Sequence, residues 1–253
     1  MACILAIETS AHVGAVALLH NASEASSPLA EAMVRDDPKL SAWLLPAIER
    51  VLQAAGRDSA TLDGLAFGAG PGAFTGVRTA CATAQALAWA WQKPLLTVDS
   101  LEALAQAALG AGVDDGDLTI ALDARMGELY VASFHCANGL VQRITDTALM
   151  TVAQTNVHVA ARHAEAPRVL GSGAKLLNAA WALPERLLHA AEAAWARGVA
   201  QLGNRLLAAG HHTAPTRAEP LYVRNQVAQT EAERRAARSV LPANAAQIVA
   251  ISA

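Results

Sequence analysis

Cysteine is scarce in this chain: Cys3, Cys81 and Cys136 are the only three in 253 residues, odd in number and far apart. Each stands in an apolar neighbourhood, so they read as buried reduced thiols of a cytosolic protein and exclude a disulfide or thiol-metal framework. Excess positive charge is missing too. Nineteen Lys and Arg face 22 Asp and Glu, a net charge of −3, so no global basic field would capture nucleic acid. If the chain works on RNA, something else holds the RNA. No uninterrupted apolar run reaches the roughly 18–20 residues of a membrane-spanning helix. Met1-Ala-Cys-Ile-Leu5 enters strand-like sequence without a basic segment or cleavage site, so the expectation is a cytoplasmic protein without a secretory leader. Histidines do not pair: His158 and His163 are five apart and His211 and His212 adjacent, and neither spacing puts two imidazoles on one helix face. No Gly-x-Ser-x-Gly elbow occurs, and no Ser/His/Asp set stands out.

What is present is core. Apolar residues make up 53% and mean hydropathy is +0.27, which argues against disorder for the body of the chain. Its length suits one large domain or two lobes. Cys3–Ile7 and Gly14–Leu19 read as strands flanking the hydroxyl-rich turn Glu8-Thr-Ser-Ala-His-Val13, with a third strand expected over 28–34. Leu40, Trp43, Leu44, Ala47, Ile48, Val51, Leu52 and Ala55 follow helical spacing up to Gly56. A strand over 62–67, a helix over 74–91 and a strand over 94–98 come next. Asp99 and Glu102 suggest a capping box opening a helix through Leu109. Residues 110–117, with their glycines and aspartates, are the expected boundary between lobes. The opening theme then returns as a strand over 118–122, the turn Asp123-Ala-Arg-Met-Gly127 and a strand over 128–134. Beyond it come Val169-Leu170, a turn at 171–173, one helix over 190–209 stopped by Gly210, and a last extended segment over 220–224. Arg234, Arg235 and Arg238 read as a solvated helix face or tail. Two strand–acidic turn–strand units with alternating helices suggest a duplicated α/β architecture.

The least generic stretch is Gly68-Ala-Gly-Pro-Gly-Ala-Phe-Thr-Gly-Val-Arg78, between a strand and a long helix. Glycines there permit a sharp turn and leave helix-start amides uncovered. A Walker loop is excluded, since no register supplies the lysine. Gly68-Ala-Gly70-Pro-Gly-Ala73 fits the dinucleotide pattern on paper, but Pro71 removes an amide from the cradle and the motif is not in the first strand–helix turn. Glu8 and Asp123 are acids at turn tips. They could hold magnesium, as in phosphoryl transfer, or simply cap their turns.

Four stretches together resemble one family, the bacterial TsaB (YeaZ-type) subunits of the machinery that makes threonylcarbamoyladenosine in tRNA. They are Leu5-Ala-Ile-Glu-Thr-Ser10, the 68–78 glycine stretch, Asp123-Ala-Arg-Met-Gly-Glu128 and Glu219-Pro-Leu-Tyr-Val-Arg-Asn225. The resemblance implies a two-lobed actin/Hsp70/sugar-kinase-like fold with duplicated mixed-sheet subdomains: an N-lobe over 1–109 and a C-lobe over 110–230. It does not reach residues 231–253, which are expected to form a flexible tail. It implies a non-catalytic scaffold that pairs with the TsaD paralogue, on which the TsaE ATPase docks, with tRNA reached only through the complex and a homodimer as the alternative when alone. Glu8, Thr9, Ser10, Gly70, Gly72, Thr75, Gly76, Arg78, Asp123, Arg125 and Glu128 would be vestigial nucleotide or phosphate loops, with 171–173 the nucleoside-side turn. No cofactor is implied beyond weak vestigial nucleotide binding, and no metal. The catalytic sister carries a His-x-x-x-His pair where this chain has Ser100-Leu-Glu-Ala-Leu104, and Glu8 stands where aspartate is commoner. The implied partner surface lies on the helices over 40–55 and 74–91, through Trp43, Leu44, Ile48, Leu52, Leu87 and Trp91. On that reading Asp at Leu44 or Ile48 breaks pairing without unfolding the chain. The competing readings are an active ATPase or phosphotransferase of the same fold and a glycoprotease-like peptidase.

Overall fold

A computed structural model describes residues 2–20, 29–35, 40–162 and 166–223. Pro28, His163, Arg224, Asn225 and the 231–253 segment with its arginines lie outside the described residues. The first sheet is built from β1 (Cys3–Glu8), β2 (Val13–His20), β3 (Ala30–Arg35), β4 (Gly64–Gly68) and β5 (Leu95–Val98), in the order β3-β2-β1-β4-β5. β1, β2 and β3 pair antiparallel, whereas β4 and β5 add parallel to β1. Parallel strands require crossovers, and α1 (Leu40–Ala54) and α2 (Phe74–Trp91) accompany them. β1 is buried along its whole length, as its unbroken apolar run demands of a strand covered on both faces.

The second sheet uses β6 (Gly116–Arg125), β7 (Glu128–Ala137), β8 (Leu140–Arg143), β9 (Ala148–Thr151) and β10 (Val169–Leu170). Its order is β10-β6-β7-β8, with β9 also on β7. The hairpin β6–β7 repeats β1–β2, and β10 joins β6 in parallel as β4 joins β1. Between the sheets lie α3 (Ser100–Gly110), α5 (Glu185–Ala193) and α6 (Trp195–Ala208), while α4 (Val152–Arg162) covers the far side of the second sheet. One apolar cluster runs through this middle layer, from Ile4, Ala66 and Leu96 past Leu101, Leu104 and Trp195 to Ile120 and Phe134. A second cluster joins α1 and α2 to the outer face of the first sheet.

Three expectations need correction. The single helix over 190–209 is two, broken at Ala194, whose φ of −95° and ψ of 7° end α5. The break turns Trp195 into the core, where its indole N–H donates to Ser100 O at 2.8 Å. Asp99 caps α3 by accepting from the Leu101 and Glu102 amides, but the Glu102 carboxylate pairs with Arg143 at 2.7 Å rather than reaching back. Pro220–Val223 straps across α2, with Leu221 N–H donating to Ala69 O. Finally, β8, β9 and α4 fill a stretch in which no element was expected.

Candidate functional site

The turn after β1 is closed from above by the glycine loop. Glu8 Oε1 accepts from Ser10 N–H at 2.6 Å, and Oε2 accepts from Ser100 Oγ at 2.8 Å. Ser100 Oγ in turn accepts from Gly70 N–H at 3.1 Å. Thr9 Oγ1 donates to Gly76 O at 2.7 Å, and Ala73 N–H donates to Ser10 O. Backbone meets backbone here: a Cβ on Gly72 would overlap the Ser10 carbonyl, and one on Gly76 that of Thr9. The glycines therefore serve close packing onto the turn, not an open cradle for phosphate. Glu8, Thr9 and Ser10 are all buried. Burial pushes the Glu8 carboxyl above its ordinary value, opposed by the hydrogen bonds from Ser10 and Ser100. Gly70 has a φ of +94°, and the peptide to Pro71 is cis.

The stretch that would correspond to the sister's histidine pair is occupied otherwise. Ser100 is the hub linking Glu8, Gly70 and Trp195, and Leu104 lies in the central core. Among the described residues, no group of three or more His, Cys, Asp or Glu side chains is placed to hold a metal.

The second acidic turn is open. Asp123 Oδ1 accepts from Arg125 N–H at 2.7 Å, while Asp123 N–H donates to Ser172 Oγ at 3.1 Å. Arg125, Met126 and Gly127 take left-handed φ values of 65°, 59° and 77°. Arg125 is 87% exposed, and Glu128 begins β7 half-buried. The 171–173 turn packs beneath, with Gly173 N–H donating to Ala121 O at 2.9 Å. Beside it a cleft of about 390 Å³ is lined by His12, Ser172, Lys175, Glu185, His189 and Glu192, among others. Glu192 is 3% exposed and accepts from Arg35 at 2.7 Å. Arg35 Nη1 also lies 2.7 Å from His12 Nε2, and that nitrogen stands 3.5 Å from Glu192 Oε1. Burial pushes the Glu192 carboxyl up, but the His12 and Arg35 contacts outweigh it and hold it below the ordinary range. This group joins the first hairpin and β3 to α5, and the sequence analysis did not find it.

The expected partner surface divides on inspection. Leu44 and Ile48 are buried in the core under α1, so they are no surface contact, and Asp there would break the core itself. Trp43, Leu52, Leu87 and Trp91 are half-buried against that same core. The large exposed apolar side chains on the two helices are Leu45 at 55%, Phe74 at 53% and Trp89 at 68%. Thr75, Arg78, Ala82, Ala86 and Trp89 form one exposed stripe along α2, at three- and four-residue spacing. Its exposure was hidden by alanine, which reads equally well on either face.

Residues 37–232, more than half of the chain, match the family described as tRNA N6-adenosine threonylcarbamoyltransferase, TsaD. The chain belongs to this family. Within it the chain is of the TsaB/YeaZ type. It is 37% identical over 127 residues to the tRNA threonylcarbamoyladenosine biosynthesis protein TsaB of Haemophilus influenzae, covering 50% of this chain and 51% of that protein. For TsaB of Bacillus subtilis the identity is 33% over 141 residues, 56% of this chain and 58% of the relative. The chain thus spans about half the length of the curated relatives it matches. Among solved structures, a Pseudomonas aeruginosa protein described as similar to peptidase YEAZ superposes with a TM-score of 0.68 at 30% identity, covering 88% of this chain and all of that one. YeaZ from the same organism gives a TM-score of 0.70 at 28% identity, with the same coverage. The paired mixed sheets are the two-lobed actin/Hsp70/sugar-kinase-like arrangement expected of the type. No helix among the described residues is long and apolar enough to cross a membrane.

Proposed function

We propose that the chain is a non-catalytic partner subunit in the synthesis of threonylcarbamoyladenosine in tRNA. It pairs through α1 and α2 with a TsaD-type catalytic subunit, the TsaE ATPase docks on that pair, and tRNA is reached through the assembly. Residues 1–109 would serve as the lobe that carries the contact. One observation carries the reading: the first acidic turn, where an enzyme of this fold would hold phosphate, is packed shut against Gly72 and Gly76. The exposed α2 stripe ending in Trp89 supplies a surface with something left to bury. Trp89→Glu is expected to abolish co-elution with the TsaD-type subunit and reconstituted tRNA modification at unchanged thermal stability. An unaltered complex would overturn the assigned surface.

The runner-up, an active ATPase or phosphotransferase, is favoured by the cleft beside Ser172 and the open Asp123 turn. Magnesium-ATP turnover by the purified chain would replace the scaffold reading with it.

A further inference from the structure

Arg78 is exposed on α2, yet it is held more firmly than a surface arginine needs to be. Its guanidinium carbon lies 3.7 Å from the centre of the Phe74 ring and 5.8 Å from that of Tyr222, and Nε donates to Tyr222 Oη at 3.0 Å. Tyr222 is itself anchored, because the strap that carries it is fixed to the glycine loop through Leu221 N–H and Ala69 O at 2.7 Å. The same strap is fixed to α2 through Gln85 and Ala218 O at 2.8 Å. Among the described residues Nε alone of this guanidinium is used in a hydrogen bond, so the two Nη groups keep their donors. The rotamer freedom that a flexible arginine loses on pairing has already been given up in the fold.

We infer that Arg78 is the charged anchor of the α2 stripe and that its counterpart is a carboxylate side chain on the protein that docks there. The inference rests on the partner-binding reading of α2 and adds the chemistry of one end of it. On the stripe Arg78 and Trp89 flank Ala82 and Ala86, whose small side chains let another helix approach closely. Arginine and tryptophan are the residue types that most often anchor such contacts. A carboxylate suits the site better than nucleic acid does. The stripe holds no second cation, the chain carries a net −3, and backbone phosphates are captured by several cations together. A lone stacked guanidinium fits the two oxygens of one carboxylate.

The test is the affinity of the purified TsaD-type subunit for wild type, Arg78→Ala, Arg78→Lys and Trp89→Glu, at low salt and at about 0.5 M salt. Arg78→Ala is expected to weaken binding about tenfold or more. Arg78→Lys should recover little of it, because the charge stays and the fork is lost. Salt should weaken the wild type more than Arg78→Ala. Thermal unfolding of each variant alone checks that the fold is kept. If Trp89→Glu fails to bind while both Arg78 variants bind like wild type, Arg78 is no anchor and the contact face still stands. If Trp89→Glu also binds normally, the face itself is wrong and this inference falls with it. Full rescue by lysine overturns the carboxylate fork. Loss of tRNA from the assembly at unchanged subunit affinity assigns Arg78 to nucleic acid instead.

Discussion

The two acidic turns are built alike and end up in opposite states. In each, a carboxylate at a strand end accepts the amide two residues on, Glu8 from Ser10 and Asp123 from Arg125. Yet Glu8 is wholly buried, and the tip of the other turn stands in solvent. The difference comes from the loop that follows the next parallel strand. After β4 that loop is glycine-rich and lies on the turn, carbonyl against missing Cβ. After β10 it passes underneath, bonding to Ala121 O and Asp123 N and leaving the tip uncovered. A motif of this kind is therefore not a site in itself. What packs over it decides whether it can meet a ligand.

The comparison can be broken by experiment, most forcefully at Gly76. Gly76→Val should cost about 3 kcal/mol or more in urea unfolding, because the side chain has nowhere to go but the Thr9 carbonyl. A near-neutral result would mean that the loop can lift and the first turn can open. Next, Glu8→Ala strands the Ser10 amide and the Ser100 hydroxyl, for about 2–3 kcal/mol by the same measurement. A subtler test uses pH. The folded chain holds the Glu8 proton more tightly than the unfolded one, so this group's contribution is full below the ordinary value of about 4.3 and is lost as pH rises through the folded value. Urea midpoints of wild type should fall over that rise relative to Glu8→Gln, and parallel curves would refute a buried, up-shifted Glu8. The smallest effect is expected at the open turn, where Asp123→Ala should change stability by about 0.5 kcal/mol or less. A loss matching that of Glu8→Ala would erase the contrast.

Much of the first sheet was legible in the sequence. The limits of α2 and the start of α1 follow from helical spacing and from the glycines that punctuate it, and β1 and β2 from short apolar runs around a polar turn. Which side of a helix meets a partner was not legible. Leu44 and Leu45 are neighbours of the same type, and only the sheet beneath α1 separates the buried one from the exposed one. The closure of the first turn was hidden for a similar reason, since the glycines that open a phosphate loop are the glycines that allow a backbone to sit on it. The Arg35–Glu192 pair joins residues 157 positions apart, so no local pattern announces it. The break at Ala194 stayed invisible because alanine runs on either side carry strong helix propensity.

The packing of α6 on the first sheet has a consequence for how the chain is made. The inner face of that sheet, with Ile4, Ala66 and Leu96, is covered by a helix that begins only at Trp195. A nascent chain emerging from the ribosome thus carries its first-made strands for most of translation without their cover. The strand faces that α6 covers must wait, exposed, for a late arrival. Chaperone engagement during synthesis is therefore expected to centre on the β1–β4–β5 face and to end when α6 clears the exit tunnel.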